Sequence, residues 1–216
     1  LGVSPRVAVD DGVLSLAPTL HNRSYVRAFI HDSARDRLVM FGGQGDFRVL
    51  DDLWTYSLSE QRWTRLEASG PWPAARVPGA AIYDPVGDRM IVFGGQSSGS
   101  LLNDVWALSF SGTPTWTHLT PLGTPPSPRS GSLGVYDSAR DRLVLFGGFD
   151  GSARNDVFAL SLDGTPAWSQ LSVGGTLPSP GALATGIYDP ERDRLVMFGG
   201  NATWELDLPT SIWASI

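Results

Sequence analysis

The sequence contains no cysteine, no long hydrophobic run and no cluster of basic residues, and each absence excludes a class of function. Without cysteine, neither a disulfide nor a thiolate metal site can form. No apolar stretch approaches the roughly 18 to 20 residues that a membrane-spanning helix needs. The net charge is -6 and the basic residues are scattered, which argues against contact with a nucleic-acid backbone. We therefore expect no membrane span and no nucleic-acid partner.

Signatures of catalysis are also missing. The three histidines, His21, His31 and His118, lie in different sequence contexts, and none has the spacing of a metal-ligand pair. The chain has no nucleophile-elbow motif and no phosphate-binding loop. We predict no catalytic residue, no bound metal and no cofactor.

The abundant glycines and prolines indicate an all-β fold. The 25 glycines and 16 prolines are distributed between apolar runs rather than collected in one tract. Such a distribution is typical of many turns that join short strands.

One sequence motif occurs four times and ends in a pair of glycines. Its copies read RLVMFGG, RMIVFGG, RLVLFGG and RLVMFGG, with a spacing of 52 or 53 residues. Each copy follows a short apolar segment and a turn of the type DSARDR. The glycine pairs are Gly42 and Gly43, Gly94 and Gly95, Gly147 and Gly148, and Gly199 and Gly200.

Two further aromatic segments complete each repeat. One carries Trp54, Trp106 and Trp204, and the next carries Trp63, Trp116, Trp168 and Trp213. Each repeat thus holds four short apolar segments bounded by Gly, Pro, Asp and Ser, which predicts a four-stranded antiparallel meander. We name its strands A to D, from the inside outward.

These motifs resemble the Kelch family over about residues 24–216: a glycine pair ends the second strand, and an aromatic residue and a tryptophan follow at regular distances. The resemblance implies a β-propeller that presents loops to a partner. The motif D-x-x-R-D-R-L-V-x-F-G-G resembles most the repeats of bacterial Kelch proteins, many of which are exported. It favours an extracytoplasmic location, whether periplasmic, secreted or at the cell surface.

Structural roles account for the repeated residues. Glycine pairs allow close approach between neighbouring sheets, and we expect both tryptophan rows to be buried between blades. The Asp-Arg pair of each A–B turn, such as Asp36 and Arg37, can bond turn backbone and bridge blades.

The repeats predict four complete blades, at residues 24–75, 76–127, 128–180 and 181–216. Residues 1–23 align with strands C and D of a preceding blade, around a predicted two-residue turn at Asp11 and Gly12. Kelch propellers usually have six or seven blades, so we expect this arc to be part of a larger propeller. A closed ring of four blades with an extra hairpin is the alternative.

Candidate binding residues come from the segments that differ between repeats. The B–C loops and the D–A connections open on the same end of the propeller, and divergence on a repeated scaffold is where specificity can reside. The candidates are Gln44, Asp46, Phe47, Arg48, Trp72, Arg76, Gln96, Ser98, Arg129, Phe149, Asp150 and Arg154.

Two of these assignments have structural alternatives. Trp72, the only tryptophan outside the repeated rows, either anchors a partner or packs beneath its own proline-rich loop. Arg76 and Arg129 either face a partner or bridge blades.

Three functions stay open. The first is a protein-interaction or structural module, as a domain or subunit of a larger extracytoplasmic assembly, with a protein partner. The second is a glycan-binding domain, favoured if Trp72 and Phe47 line a groove. The third is an enzyme resembling the sialic-acid mutarotases. Kelch copper oxidases resembling galactose oxidase need a thioether-linked cysteine, which this chain lacks.

Overall fold

The protein consists of β-strands joined by turns and loops. The structure is a computed structural model and describes residues 8–10, 13–15, 23–26 and 28–216. In these ranges there is no helix long and apolar enough to cross a lipid bilayer.

A short hairpin precedes the blades. It pairs strands β1 (Ala8–Asp10) and β2 (Val13–Ser15). Asp10 is paired with Val13. The turn residues Asp11 and Gly12, and most of the predicted hairpin of residues 1–23, lie outside the described residues.

The first two blades are four-stranded antiparallel sheets whose spatial order follows the chain. Blade 1 contains β3 (Ala28–Asp32), β4 (Arg37–Gln44), β5 (Val49–Ser57) and β6 (Arg62–Arg65). Blade 2 contains β7 (Ala80–Asp84), β8 (Arg89–Ser97), β9 (Ser100–Ser109) and β10 (Thr115–Leu119). The short strand β11 (Leu122–Gly123) follows blade 2.

The last two blades repeat this order. Blade 3 contains β12 (Leu133–Asp137), β13 (Arg142–Phe149), β14 (Ala153–Ser161) and β15 (Ala167–Leu171). After the short strand β16 (Gly174–Gly175), blade 4 contains β17 (Thr185–Asp189), β18 (Arg194–Gly199), β19 (Ala202–Asp207) and β20 (Ile212–Ser215).

The paired glycines connect each of the first three blades to the next. The amide of Gly95 donates a 2.9 Å hydrogen bond to the carbonyl of Arg129, at the entry to blade 3. Gly95 has a φ of 109°, and a Cβ there would lie 2.2 Å from the carbonyl oxygen of Val77. Only glycine fits such a close approach. Gly43 and Gly148 make the same bond to the next blade.

The tryptophans of the outer strands pack against the preceding blade. The ring of Trp116 lies 4.9 Å from that of Phe41, Trp168 lies 5.3 Å from Phe93, and Trp213 lies 5.2 Å from Phe146. All three tryptophans are buried, and each belongs to an apolar cluster shared by two adjacent blades.

The prediction of uniform burial was wrong for the other tryptophans. Trp63 is only half-buried, and it contacts Phe29 and Tyr56 of its own blade. The row of Trp54, Trp106 and Trp204 is also half-buried. The indole N–H of Trp106 donates a hydrogen bond to the partly exposed Asp104 carboxylate.

The linkers between blades form a fifth strand on the next sheet. Strand β11 pairs in parallel with β15, and β16 pairs in parallel with β20. Ser69 makes the corresponding bridge to Thr115. These segments pair the outer edge of strand D, which would otherwise be open to another chain.

Arginines of the A–B turns cross to the next blade. Arg35 forms a two-pronged ion pair with Asp88, and Arg140 forms the same pair with Asp193. Gly87 occupies this position in blade 2, so the next interface has no such pair. Arg35 and Arg140 hold the pKa of their partner carboxyls below the usual value.

One face of blade 4 is open in the described part of the chain. Phe198 occupies the position of the buried Phe41, Phe93 and Phe146, yet it is 54% exposed. Blade 4 thus receives no tryptophan on this face from the described part of the chain. Both the larger propeller and the alternative of a four-bladed ring with an extra hairpin stay predictions.

We expect Trp116→Ala to lower the free energy of unfolding by about 3 to 5 kcal/mol, because it opens a large cavity between two blades. Trp63→Ala is the matched control and should cost much less, since Trp63 is half-buried. Urea denaturation monitored by circular dichroism measures both. Equal losses in the two variants would contradict this account of the interface.

The inter-blade ion pairs predict a pH dependence. Because the pKa values of Asp88 and Asp193 are lowered by folding, their contribution to stability is present above about pH 4 and is lost as the pH falls below it. The double variant Asp88→Asn/Asp193→Asn should therefore be less stable than wild type at pH 7, and the difference should shrink in acid. Thermal melts at several pH values measure this difference, with the exposed Asp51→Asn as control.

Candidate functional site

The B–C loops and the D–A linkers meet at one end of the propeller, around its axis. In blades 1 to 3, the residue after the glycine pair bonds to the chain that enters strand A of the same blade. Gln44 bridges Ser24, Gln96 bridges Val77, and Phe149 bridges Ser130 through paired backbone hydrogen bonds. Three of the predicted residues thus take equivalent places around the axis.

These residues surround a cavity of about 500 Å³, which we call the mouth cavity. Its lining includes Tyr25, Gln44, Gln96, Phe149 and Leu183. All four blades contribute to it. A second cavity of about 430 Å³ continues from Tyr25 between the A strands.

The rim of the mouth cavity is apolar. Tyr25 is 66% exposed and Leu183 is 58% exposed, and the ring of Phe149 is also exposed. Between them lie the amide side chains of Gln44 and Gln96. Among the described lining residues none is charged, so this site offers apolar contact and amide hydrogen bonds to a ligand.

Tyr25 and Leu183 were missed by the sequence analysis. Both have a positive φ, 51° and 73°, which is costly for large side chains. Gly131 occupies the same position in blade 3 with a φ of 66°. A signal was available: two bulky residues stand in the D–A connections at a position where a sister repeat has glycine.

The other loop candidates lie away from the cavity. Asp46, Phe47, Arg48 and Ser98 are exposed on the B–C loops, and Phe47 is 99% exposed. None of the four lines the mouth cavity. The chain brings together three of the twelve predicted binding residues, namely Gln44, Gln96 and Phe149.

The loop of blade 3 is held by its own ion pair. The Asp150 carboxylate accepts hydrogen bonds from Arg154 Nε at 2.8 Å and from Ser127 Oγ at 2.6 Å. The hydrogen bond from Arg154 is the main reason why the pKa of Asp150 is far below its usual value. Asp150 and Arg154 therefore fix the shape of the loop beside Phe149.

The structure corrects the prediction that Arg76 and Arg129 bind a partner. Both are buried, and their guanidinium groups contact Asp104 and Asp156 at 2.5 and 2.6 Å. They also donate to the carbonyls of Gly94 and Gly147 in the same blade. These side chains are enclosed by their own blades, so they hold the glycine turn instead of facing a partner.

Trp72 lies at the outer edge of blade 2 instead of at the mouth. Its ring is 6.2 Å from that of the buried Trp116, and about a third of its surface is exposed. Trp72 thus packs on the outer strand of blade 2, and part of its ring is left in solvent.

Comparison with known proteins identifies the class. A family model described as the KLHDC2/KLHL20/DRC7 Kelch-repeats domain matches residues 29–216. The match covers all four blades, and the chain belongs to the Kelch-repeat family.

Curated relatives come from animals and a plant. The chain is 29% identical over 203 residues to the leucine-zipper-like transcriptional regulator 1 homolog of Drosophila melanogaster, covering 84% of this chain and 20% of that protein. It is 30% identical over 187 residues to host cell factor 1 of Homo sapiens, covering 76% and 9%. Acyl-CoA-binding domain-containing protein 5 of Arabidopsis thaliana is 31% identical over 160 residues, covering 71% and 24%.

The chain therefore spans between 9% and 24% of the length of these relatives. All three organisms are eukaryotes, so the expected likeness to bacterial, exported Kelch proteins finds no support. None of the three names describes a catalytic activity.

We expect Arg129→Ala to lower the free energy of unfolding by about 3 kcal/mol, because it leaves Asp156 without its partner. The exposed Arg154→Ala is the control and should change it by less than about 0.5 kcal/mol. Chemical denaturation distinguishes the two. If Arg129→Ala leaves the free energy of unfolding unchanged, Arg129 would again be a candidate for contact with a partner.

Proposed function

We propose that this chain is a non-catalytic interaction module that binds a polypeptide segment at the mouth cavity. The observation that carries the proposal is the apolar rim of Tyr25, Phe149 and Leu183 around the cavity. Exposed aromatic and aliphatic side chains around a recess are typical anchors for a protein partner.

The backbone strain at the rim supports a binding role. Glycine would satisfy the left-handed conformation at positions 25 and 183 without cost, as Gly131 does in blade 3. Tyrosine and leucine are kept there at a conformational cost, and both side chains are largely exposed. Residues in such conformations cluster at functional sites.

The residues that line the mouth cavity indicate which chemical groups a partner should present. Gln44 and Gln96 each offer an amide donor and an acceptor, which suit the polar groups of a peptide backbone. The apolar rim suits one or two large hydrophobic side chains. We therefore propose an extended, uncharged segment with an apolar anchor as the ligand.

Glycan binding and mutarotase-like catalysis have weaker support. Phe47 and Trp72, the aromatics expected to form a sugar groove, lie apart from the mouth cavity and from each other. The described lining supplies amide, hydroxyl and aromatic groups and no carboxylate, histidine, lysine or arginine side chain of the kind that usually performs acid–base catalysis. Membership of a larger extracytoplasmic assembly stays a proposal.

The test first selects peptides that bind the wild-type protein from a random display library. It then compares their affinity for the wild type with their affinity for the double variant Tyr25→Gly/Leu183→Gly. The variant should fold, because glycine suits both backbone positions, and should bind the peptides about tenfold more weakly or worse. Affinities come from isothermal titration calorimetry.

Phe47→Ala is the matched control, because it removes an exposed aromatic side chain outside the mouth cavity. It should leave the affinity unchanged. Selected peptides that bind the double variant as well as wild type, or a library that yields no binder, would overturn the proposal.

A further inference from the structure

The A–B turns lie at the end of the propeller opposite the mouth cavity, and the turn of blade 2 differs from those of its neighbours. Blades 1 and 3 have the same turn sequence, DSARDR, whereas blade 2 has DPVGDR at residues 84–89. Val86 and Gly87 thus replace an alanine and an arginine. The turn backbone is preserved, since Asp88 has a φ of 47°, within a few degrees of the equivalent residues in blades 1 and 3.

The missing arginine leaves a carboxylate of blade 3 without a cation. In the other two interfaces the turn arginine bonds the aspartate of the next blade with both Nη atoms, at 2.6 to 2.8 Å. The equivalent aspartate of the middle interface is Asp141, which accepts a 2.9 Å hydrogen bond from the hydroxyl of Tyr136. No basic side chain of the described chain forms an ion pair with Asp141. Its counterparts Asp88 and Asp193 show that an aspartate at this position binds a guanidinium in two-pronged geometry.

Arg89, the nearest arginine of the same turn, does not replace the missing one. Its Nε donates to Asp84 at 2.7 Å, and its Nη2 donates to the carbonyl of Leu162 at 3.1 Å. Over the described residues, the middle interface has two carboxylates, Asp84 and Asp141, and one guanidinium. The other two interfaces have two of each. One negative charge is therefore left uncompensated between blades 2 and 3.

An exposed apolar side chain belongs to the same turn as this vacancy. Val86 is 75% exposed, and blades 1 and 3 have the smaller alanine at its position. Gly87 beside it is exposed and offers only backbone, and Asp141 is half-buried. We call Val86, Gly87 and Asp141 the turn surface. Both residues that distinguish the blade 2 turn from its neighbours contribute to this surface, and divergence on a repeated scaffold is where specificity can reside.

We propose that the turn surface binds a protein segment in which an arginine lies beside an apolar side chain. The guanidinium pairs with Asp141 as Arg35 pairs with Asp88, and the apolar side chain packs on Val86. A two-pronged pair selects arginine over lysine, whose ammonium is a single point of charge. An exposed ion pair alone contributes little to binding, so the contact with Val86 is needed as well. This site is separate from the mouth cavity and does not depend on the ligand proposed there.

The variant Gly87→Arg supplies the missing arginine from the chain itself. The atoms nearest to a Cβ at this position are the side-chain ends of Arg89 and Asp84, and the turns of blades 1 and 3 accommodate an arginine beside the same two residue types. We expect the variant to fold, with a melting temperature no lower than that of wild type. Its new arginine should pair with Asp141 and close the turn surface to other molecules.

Peptide selection tests the proposal. A random display library is depleted on Gly87→Arg and then selected on the wild-type protein, and affinities are measured by isothermal titration calorimetry. The recovered peptides should contain an arginine next to an apolar residue. Changing that arginine to lysine should weaken binding by about tenfold or more. Asp141→Asn in the protein should have a similar effect, and Asp141 has a positive φ that asparagine tolerates.

The mouth variant Tyr25→Gly/Leu183→Gly is the matched control, because its changes lie at the opposite end of the propeller. It should bind the selected peptides as tightly as wild type does. Peptides that this control no longer binds would belong to the mouth cavity, which would overturn the turn surface as their site and leave the function proposed for the mouth cavity intact.

Three further results would overturn the proposal. The first is a library that yields no peptide with a preference for wild type over Gly87→Arg. The second is a set of peptides in which lysine replaces arginine without loss of affinity. The third is binding that Asp141→Asn leaves unchanged. If thermal melting shows that Gly87→Arg does not fold, depletion on Asp141→Asn replaces it and the lysine comparison decides the outcome.

Discussion

The contact between an outer-strand tryptophan and the phenylalanine of the preceding blade is the interaction on which this architecture depends. A single four-stranded sheet has apolar residues on both faces and no interior of its own. Stacking one sheet on the next buries those faces, as in the clusters that contain Trp116, Trp168 and Trp213. The glycine pairs, the linker strands and the turn arginines all maintain this stacking. The hydroxyl of Tyr83 donates to Asp88, so it helps to hold the carboxylate that Arg35 reaches from the preceding blade.

The same scaffold explains why the mouth of the propeller is free to differ between blades. Arg76 and Arg129 tie each glycine turn to a carboxylate inside the blade, so the residue that follows the turn is held in place whatever its side chain. Gln44, Gln96 and Phe149 occupy that position in three blades. Blade 4 departs from the rule. Gly181 and Ala202 replace the arginine and the aspartate together, and a tight turn at Gly200 and Asn201, both with positive φ, replaces the loop.

The repeat predicted the fold because each blade uses the same local contacts. The period, the glycine pairs and the strand order could all be read from residues that recur at fixed spacing. Features that depend on the neighbouring blade could not be read from the sequence. Trp63 has the same local sequence context as Trp116, and its lower burial follows only from the absence of a described blade in front of it. The mouth cavity depends on Tyr25 and Leu183, which lie in linkers that do not repeat, and the two-residue strands β11 and β16 are too short to give a periodic signal.

The direction of the inter-blade contact has a consequence for how the chain is made. In each interface the phenylalanine precedes the tryptophan in the sequence, so a ribosome delivers the receiving surface first. The linker that will cover the next outer strand also emerges before that strand does. Each outer-strand tryptophan thus meets an apolar surface that was synthesised before it. Until that tryptophan is synthesised, the phenylalanine of the newest blade lacks the ring that covers it in the folded protein.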